Sequence, residues 1–330
     1  MADIRIAQAA SAAPGRGAAP VNGSGVNGSG ANGSGVNGSG AANAPPPGFG
    51  RGPAHTGPVP AVEFITRLHQ RSGAATRAQT LDRVVAGDVT ADVTGIACLA
   101  LATFDGLKAA AAAGRNLVIV LEDTWWSDND DLQRLEGNST YKAKRDFIRA
   151  HNMVVVRFGD HIADMKPNPI AMGMAQQLGW ENYAADKNDP VRFSIPPTTL
   201  QALAQSLGRT LSSRTLRAVG DPKLPVSKVG VIWGNANQMP SIRLLNTDID
   251  TLLVGYTHEW EAVMYAQDQV AVGMKKSLIS LGQAAGEQAG MKYFATWLKT
   301  IIDEVPVDYI PLVEPYWNLD QPVNLVSTKI

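Results

Sequence analysis

One short apolar run near the middle of the chain constrains the fold more than any other stretch. Residues 117–121, LVIVL, are all branched aliphatic, and such a run is typical of a strand buried on both faces of a parallel sheet. An alanine-rich stretch, residues 107–114, precedes it and favours a helix that ends at a glycine. Glu122 and Asp123 follow directly. Ligands of open α/β sheets bind beyond the carboxyl ends of the strands, so these carboxylates mark a candidate site unless they merely solvate a turn.

The same alternation of apolar strands and amphipathic helices extends along the chain. Strands are predicted at 93–101, 117–121, 153–158, 216–219, 226–233, 251–254, 277–281 and 307–312, and helices at 61–71, 104–113, 140–151, 170–178, 198–207, 259–272 and 286–302. Pro225, Pro240 and Pro306 are expected between these elements, where proline is tolerated. The alternation predicts an α/β protein with a parallel or mixed sheet.

The patterns also predict where several side chains point. In the helix at 140–151, helical spacing places Tyr141 inward and Lys142 and Lys144 outward. Trp125 and Trp126 are neighbours on an extended segment, where consecutive side chains point to opposite sides. Both rings therefore cannot enter one core, and one of them is expected to meet a lobe, a ligand or a neighbouring subunit.

The first part of the chain differs in composition from the rest. Residues 1–58 are expected to form a disordered tail, because the repeat VNGSG-VNGSG-ANGSG-VNGSG at 21–40 offers no side chains to bury. Its repeats also lack charge and aromatic groups, which favours a passive linker over a tether for a partner. The remaining residues of this 330-residue chain suffice for one large domain or two modest ones.

Charge and hydropathy exclude several classes of function. A net charge of -1 offers no electrostatic footprint for nucleic acid or an anionic membrane, and no apolar stretch reaches the roughly 18 residues that span a bilayer. The single cysteine, Cys98, is expected to be buried, and it excludes an internal disulfide. The opening residues lack the features of a signal peptide. The protein is therefore predicted to be cytoplasmic as written, or exported if a miscalled start has removed a signal.

Carboxylates and imidazoles follow several predicted strands. Glu122, Asp160, His161 and Glu287 each come after a strand, and His258 comes shortly after another. Side chains at neighbouring strand ends can converge on a metal or a substrate, although Asp160 can equally cap a helix. Among the histidines, His161 and His258 are the expected ligands. The others, His55, His69 and His151, lie in the tail or on helices.

The order of motifs resembles the Nif-three-like dinuclear-metal-centre family, also called type-two GTP cyclohydrolase-like. The resembling stretches are 93–97, 107–122, 141–148, 155–161, 171–180, 248–260, 277–287 and 290–298. The resemblance implies a three-layer α/β fold with mixed sheets and two related lobes, at about 59–185 and 186–330. It also implies a hexameric ring, with a pair of metal ions between the lobes held mainly by histidines, an aspartate and a glutamate.

The chain departs from the family pattern at the metal-ligand positions. Leu121 stands where the family has the histidine of Thr-His-Glu-Pro. Gly159 and Ala163 stand where Arg-Phe-His-Asp-His-Trp-His has two histidines, and Gln283 and Tyr256 replace a histidine and a glutamate. Leucine, glycine and alanine side chains cannot bind a divalent metal, and glutamine is a poor substitute for imidazole.

Four metal-ligand candidates remain, and they leave two functions open. Glu122, Asp160, His161 and Glu287 form an oxygen-rich set that suits magnesium, calcium or manganese better than zinc, or that binds nothing. The first hypothesis is a Nif-three-like protein without the standard dinuclear centre, which acts as a scaffold, partner-binding or small-ligand module. The alternative is a metal-dependent hydrolase of a nucleotide or phosphoester, with His161 as acid or base.

Assembly is predicted from the resemblance together with the tryptophan pair. The ring assembly of the family implies a homo-oligomer, expected to be a hexamer. Aromatic side chains at strand ends either cover a pocket or contribute to an interface, so Trp125 or Trp126 is expected near a subunit contact or the rim of the cleft. A net charge close to zero opposes self-association little.

Overall fold

Two five-stranded β-sheets organise the part of the chain that the computed structural model describes, residues 57–75, 77–126 and 132–316. The predicted tail, residues 1–58, lies outside these residues except for its last two. No helix within the described residues is long and apolar enough to cross a membrane.

The first sheet has the strand order β1-β4-β3-β2-β10. Its strands are β1 (Arg83–Ala86), β2 (Ile96–Leu99), β3 (Leu117–Val120), β4 (Val154–Arg157) and β10 (Val307–Tyr309). All pairs are parallel except β1 with β4. Every residue of β2, β3 and β4 is buried, because helices cover both faces of these central strands. Strand β10, from the range assigned above to the second lobe, completes this sheet beside β2.

The second sheet has the strand order β5-β7-β8-β9-β6. Its strands are β5 (Arg192–Thr199), β6 (Arg217–Val219), β7 (Pro225–Asn235), β8 (Thr251–Tyr256) and β9 (Ser277–Ser280). The three central strands are parallel, and the edge strands β5 and β6 are antiparallel to their neighbours. Both sheets are therefore mixed, with parallel strands at the centre.

Helices cover both faces of each sheet. They are α1 (Ala61–Ser72), α2 (Phe104–Ala112), α3 (Ser139–Ala150), α4 (Gly159–Asp164), α5 (Pro169–Leu178), α6 (Leu200–Thr210), α7 (Gln238–Leu245), α8 (Met264–Ala271) and α9 (Gln283–Leu298). Helices α2 and α3 pack on the outer face of the first sheet, and α7 and α8 on the outer face of the second. Helices α1, α5, α6 and α9 share one core with the facing sides of both sheets. Each sheet is therefore the middle of three layers.

Glycines allow α5 and α9 to approach closely in the shared layer. A Cβ atom on Gly173 of α5 would lie 2.5 Å from the carbonyl oxygen of Ala289, and one on Gly290 of α9 would lie 2.4 Å from the Cα of Ile170. Both distances are shorter than van der Waals contact, so a larger residue at either position would push the helices apart. Helix α9 also contacts strands of both sheets, which fixes its first turn beside the strand ends of each.

The structure confirms the α/β fold class, and each predicted strand and helix has a counterpart. Four elements were not predicted: β1, β5, α4 and α7. One expectation was wrong, because Pro240 lies within α7 rather than between elements. It occupies the first turn of that helix, where the N–H group that proline lacks would have no partner within the helix.

The predicted outward orientation of Lys144 was also wrong. Its residue exposure is 2%, and its ammonium group donates a hydrogen bond to the carbonyl oxygen of Thr124 at 2.6 Å. The same group lies 5.5 Å from the ring centroid of Trp125 and 5.0 Å from that of Trp126. Aromatic faces attract a cation, so Lys144 joins α3 to the segment that follows β3.

Candidate functional site

The residues that follow β3 and β4 meet at one edge of the first sheet. These strands are parallel neighbours, so Glu122 after β3 and His161 after β4 come to the same edge. Strand β1 runs antiparallel to β4, which brings Asp82, directly before β1, to this edge as well. We call the resulting group the polar cluster. It contains His69, Asp82, Glu122, Asp123, Arg157, Asp160 and His161.

Asp82 is a buried carboxylate that organises the start of α4. Only 1% of its side chain is exposed. Its oxygens accept hydrogen bonds from the backbone N–H of Asp160 at 3.0 Å and of His161 at 2.8 Å. Phe158, which precedes the helix, makes no side-chain cap. Asp82 therefore satisfies the first N–H groups of α4 from another segment, and its negative charge is favourable at a helix N-terminus.

Asp82, His161 and His69 form a chain of hydrogen-bonded groups. Nδ1 of His161 lies 2.7 Å from Oδ2 of Asp82, and its Nε2 lies 3.2 Å from Nδ1 of His69. If the carboxylate holds the Nδ1 proton of a neutral His161, Nε2 is an acceptor and His69 donates to it. The pKa of His69 is lowered by burial, and further by His161. Such a chain can orient an imidazole for proton transfer.

Arg157 places a guanidinium among the carboxylates of the polar cluster. Its side chain is 8% exposed and lies 3.4 Å from Asp82, 3.6 Å from Asp123, 3.8 Å from Glu122 and 3.9 Å from Asp160. A buried cation surrounded in this way offsets part of the repulsion between the acids. It also repels any metal cation that approaches the same carboxylates.

Asp160 already has several donors. Burial opposes its ionisation, but the backbone N–H of Leu81, the hydroxyl of Thr80, and the charges of Arg157 and Arg77 hold the pKa of Asp160 below its ordinary value. Arg77 lies 3.0 Å from this carboxylate. Asp160 is thus an ionised acceptor with partners on both oxygens.

Glu287 lies in the first turns of α9, close to Glu122. Its residue exposure is 4%, and its Oε2 has no hydrogen-bond partner within the described residues. Burial raises the pKa of Glu287 well above its ordinary value, and the charge of Glu122 raises it further. Gly234, with φ of 75°, makes room for this carboxyl, since a Cβ atom there would lie 2.3 Å from Oε1. Glu287 is therefore a neutral carboxyl group in the folded protein.

Gly159 and Leu121 are in direct contact at the edge of the sheet. A Cβ atom on Gly159 would lie 2.2 Å from the carbonyl oxygen of Leu121. Real Cβ atoms do not approach a backbone oxygen so closely, so this backbone admits glycine alone at position 159. Both positions carry histidine in the family pattern described above.

The predicted metal ligands are placed together in part. Glu122, Asp160 and His161 lie in the polar cluster, and Glu287 lies beside it, close enough for Glu122 to raise its pKa. Their donors do not fit a metal ion as arranged, because Asp160 is held by arginine and backbone donors, and His161 by Asp82 and His69. No group of three or more His, Cys, Asp or Glu side chains in the described ranges is arranged to hold a metal.

Two assignments among the histidines need correction. His69 was set aside because it lies on a helix; it does lie on α1, yet its ring contacts His161. His258 was expected as a ligand, but its side chain is 63% exposed and its described partners are Glu261 and Trp260, outside the polar cluster. Sequence reasoning also missed Asp82. An acid directly before the β-branched pair Val84 and Val85 is the one local signal that could have marked it.

Comparisons with known proteins place this arrangement in a family. A family model described as Duf34/NIF3 (NGG1p interacting factor 3) matches residues 65–312. No curated protein matches the sequence.

Several solved structures share the fold. A Bacillus cereus protein related to NIF3 has a TM-score of 0.65 at 11% identity, covering 80% of this chain and 100% of that chain. A hypothetical protein of Staphylococcus aureus has a TM-score of 0.63 at 16% identity, with the same coverage. Reduced HcgD from Methanocaldococcus jannaschii has a TM-score of 0.56 at 14% identity, covering 78% of this chain and 100% of that chain. At these identities the likeness concerns the fold.

Proposed function

Because this chain belongs to the Duf34/NIF3 family, we propose that it is a member that lacks the standard dinuclear metal centre. It keeps the fold and acts as a scaffold, partner-binding or small-ligand module. The family match and the shared fold support the first half of this proposal. The arrangement of the polar cluster supports the second half.

The observation that carries the proposal is the contact between Gly159 and Leu121. At both positions the resembling family has histidine, and here the backbone oxygen of Leu121 fills the space of a side chain at 159, at 2.2 Å from the Cβ position. Restoring one imidazole therefore requires the backbone of the other position to move. The buried guanidinium of Arg157 adds to this, since it repels a metal cation where the remaining carboxylates lie.

Metal analysis of the full-length protein tests the proposal. The protein is incubated with zinc or manganese, desalted, and measured by inductively coupled plasma mass spectrometry. We expect less than one equivalent of tightly bound transition metal per chain. Two equivalents, lost in His161→Ala and kept in the control His258→Ala, would overturn the proposal. The control is suitable because His258 is exposed and outside the polar cluster.

A hydrolase is the second candidate, and the contact between Asp82 and His161 favours it. A carboxylate 2.7 Å from Nδ1 orients an imidazole and stabilises its protonated form, as general acid–base catalysis requires. In this candidate His161 transfers a proton during hydrolysis of a nucleotide or phosphoester. The predicted oxygen ligands Glu122, Asp160 and Glu287 would hold a divalent metal, an arrangement that needs different side-chain partners from those described above.

A substrate screen separates the two candidates. Nucleotides and phosphoesters are incubated with the protein and manganese or magnesium. Hydrolysis that is abolished by Glu287→Ala and by His161→Ala, in variants with unchanged circular dichroism, favours the hydrolase. Absence of hydrolysis across the screen, or hydrolysis that survives both substitutions, favours the module without a metal centre.

We also propose that the protein forms a homo-hexamer. Trp126 supports this, because 59% of its surface is exposed while its neighbour Trp125 is 2% exposed. The rings point to opposite sides, as the sequence indicated, although the backbone at Trp126 is left-handed, with φ of 60°, rather than extended. A large exposed aromatic side chain is typical of an interface.

A further inference from the structure

A cavity of about 480 Å³ lies between β1 and α3, on the outer face of the first sheet. Its volume falls within the range of about 300–1,000 Å³ that is typical of small-ligand sites. We propose that this cavity binds a small aromatic carboxylate. The proposal concerns a different site from the polar cluster and holds whether or not the cluster binds a metal.

The local sequence creates the cavity by ending β1 early. Gly87, directly after β1, has φ of 94°, a conformation that favours glycine. A Cβ atom there would lie 2.1 Å from the carbonyl oxygen of Met153, so the backbone turns against the start of β4. The turn that follows, through Asp88 and Ala91, lines one side of the cavity, and α3 lines the other.

The inner wall of the cavity is aromatic and apolar. Trp125 and Tyr141 both line it, and their rings meet edge to face with centroids 4.9 Å apart. The indole N–H of Trp125 donates to the carbonyl oxygen of Val85 at 3.3 Å, which fixes the ring against β1. Met153 contributes a thioether, which packs well against aromatic rings. These groups suit the flat, apolar body of an aromatic ligand.

The helical side of the cavity carries two guanidinium groups. Arg145 and Arg149 are four residues apart on α3, so they lie on the same face. Arg145 pairs with Asp146 at 2.9 Å and lies over the ring of Tyr141. Arg149 is exposed and has no ion pair within the described residues. It can therefore bind a carboxylate through two parallel hydrogen bonds.

One carboxylate, Asp88, also lines the cavity, and its orientation matters for the charge of the ligand. Its Oδ1 accepts hydrogen bonds from the backbone N–H of Thr90 at 2.9 Å and from the hydroxyl of Thr90 at 2.7 Å. This engagement holds the pKa of Asp88 below its ordinary value. Asp88 is thus committed to its own turn, and Arg149 is the charged group left for the ligand.

The cavity and the polar cluster lie at different places on the first sheet. The cluster forms where β1 begins and β4 ends, whereas the cavity is lined by the end of β1 and by Asn152 and Met153, next to the start of β4. The side chains around the cavity belong to the core shared with α2 and α3, while His161 packs against Phe158 of the central core. A substitution in one is therefore expected to leave the other unchanged.

Isothermal titration calorimetry of the full-length protein with indole-3-acetate tests the proposal. The neutral analogue indole-3-acetamide has the same shape without the charge. We expect the acetate to bind, and the acetamide to bind at least about tenfold more weakly, because a hydrogen bond to a charged group contributes roughly 1.5–3 kcal/mol. Arg149→Met is expected to weaken binding of the acetate to a similar degree. Arg209→Met, at an exposed position outside the cavity, is the matched control and should leave binding unchanged.

A second variant keeps the test independent of the charge. Ala91→Trp should fill the cavity from its rim and abolish binding of both compounds, with an unchanged circular dichroism spectrum as the check on folding. The proposal is overturned if neither compound binds the unmodified protein. Equal binding of acetate and acetamide, or acetate binding that is unaffected by Arg149→Met, would overturn it as well.

Discussion

At position 159 a single methyl group would meet the backbone of the neighbouring strand end. Gly159→Ala places its Cβ 2.2 Å from the carbonyl oxygen of Leu121, and the backbone must shift to relieve the contact. We expect the free energy of unfolding to fall by about 1–3 kcal/mol or more, the usual cost of overpacking. Urea-induced unfolding measures it.

Gly137→Ala is the matched control for this substitution. A Cβ atom on Gly137 would meet nothing within 4 Å, so the stability of the control should stay close to that of the unmodified protein. Equal stability of the two variants would show that the contact at position 159 relaxes freely, and it would remove the main support for a closed metal site.

Glu287 gives a pH-dependent prediction. Burial, and then the charge of Glu122, raises its pKa in the folded protein above the ordinary value of 4.5. The stability that the neutral carboxyl contributes is fully present below that ordinary value and is lost as the pH rises through the folded-state pKa. Glutamine cannot ionise. Glu287→Gln should therefore gain stability relative to the unmodified protein as the pH rises from about 5 to about 8, by roughly 1–3 kcal/mol.

Thermal unfolding of both proteins across that pH range measures the difference. A cation bound between Glu287 and Glu122 would reverse the outcome, because glutamine would then remove a ligand charge. A lower stability of Glu287→Gln at pH 8, restored to parity by a chelator, would contradict the neutral carboxyl and favour the hydrolase candidate.

Among the elements, the short helix α4 depends on a residue outside itself. It has six residues, and its second and third N–H groups are bonded to Asp82. Asp82→Ala would leave these donors, His161 and Arg157 without their buried acceptor. We expect a loss of about 3–5 kcal/mol in the free energy of unfolding, as for a broken buried ion pair.

The control for this prediction is Asp105→Ala. The side chain of Asp105 is 95% exposed, so its removal should change stability little. Chemical denaturation and the amide exchange rates of residues 159–164 measure the effect. Unchanged protection of these amides in Asp82→Ala would contradict the role of Asp82 at the start of α4.

The elements also show what the sequence could and could not predict. Continuous apolar runs identified β2, β3 and β4, because strands buried on both faces need no polar positions. Strand β1 has four half-buried residues without alternation, so periodicity could not reveal it. Without β1 the position of Asp82 was hidden, and with it the partner of His161.

Lys144 illustrates a different limit of the sequence. Helical spacing separates charged from apolar positions, but it cannot recognise a charged side chain that is buried by pairing. The carbonyl of Thr124 and the rings of Trp125 and Trp126 that receive this ammonium belong to a segment before α3. The contact of His69 with His161 is of the same kind, since it joins positions separated by 92 residues.

At the scale of the whole molecule, assembly can be tested through the tryptophan pair. We expect mass photometry to show a hexamer at nanomolar to micromolar concentration. Trp126→Ser should weaken the assembly with little change in monomer stability, because this ring is 59% exposed and adds little to the core. Val272→Ser is the control, since Val272 is 73% exposed on a different part of the surface. A monomer at micromolar concentration, or equal effects of both variants, would contradict the prediction.

The position of β10 has a consequence for how the protein is made. The parallel pairing of Val307 with Ile96 and of Tyr309 with Cys98 joins segments about two hundred residues apart in synthesis. While the ribosome is still translating the second sheet, β2 has an open edge on which another nascent chain can pair. The first sheet can close only when residue 309 has left the exit tunnel. A premature stop before that point is expected to yield a chain that needs a chaperone to stay dispersed.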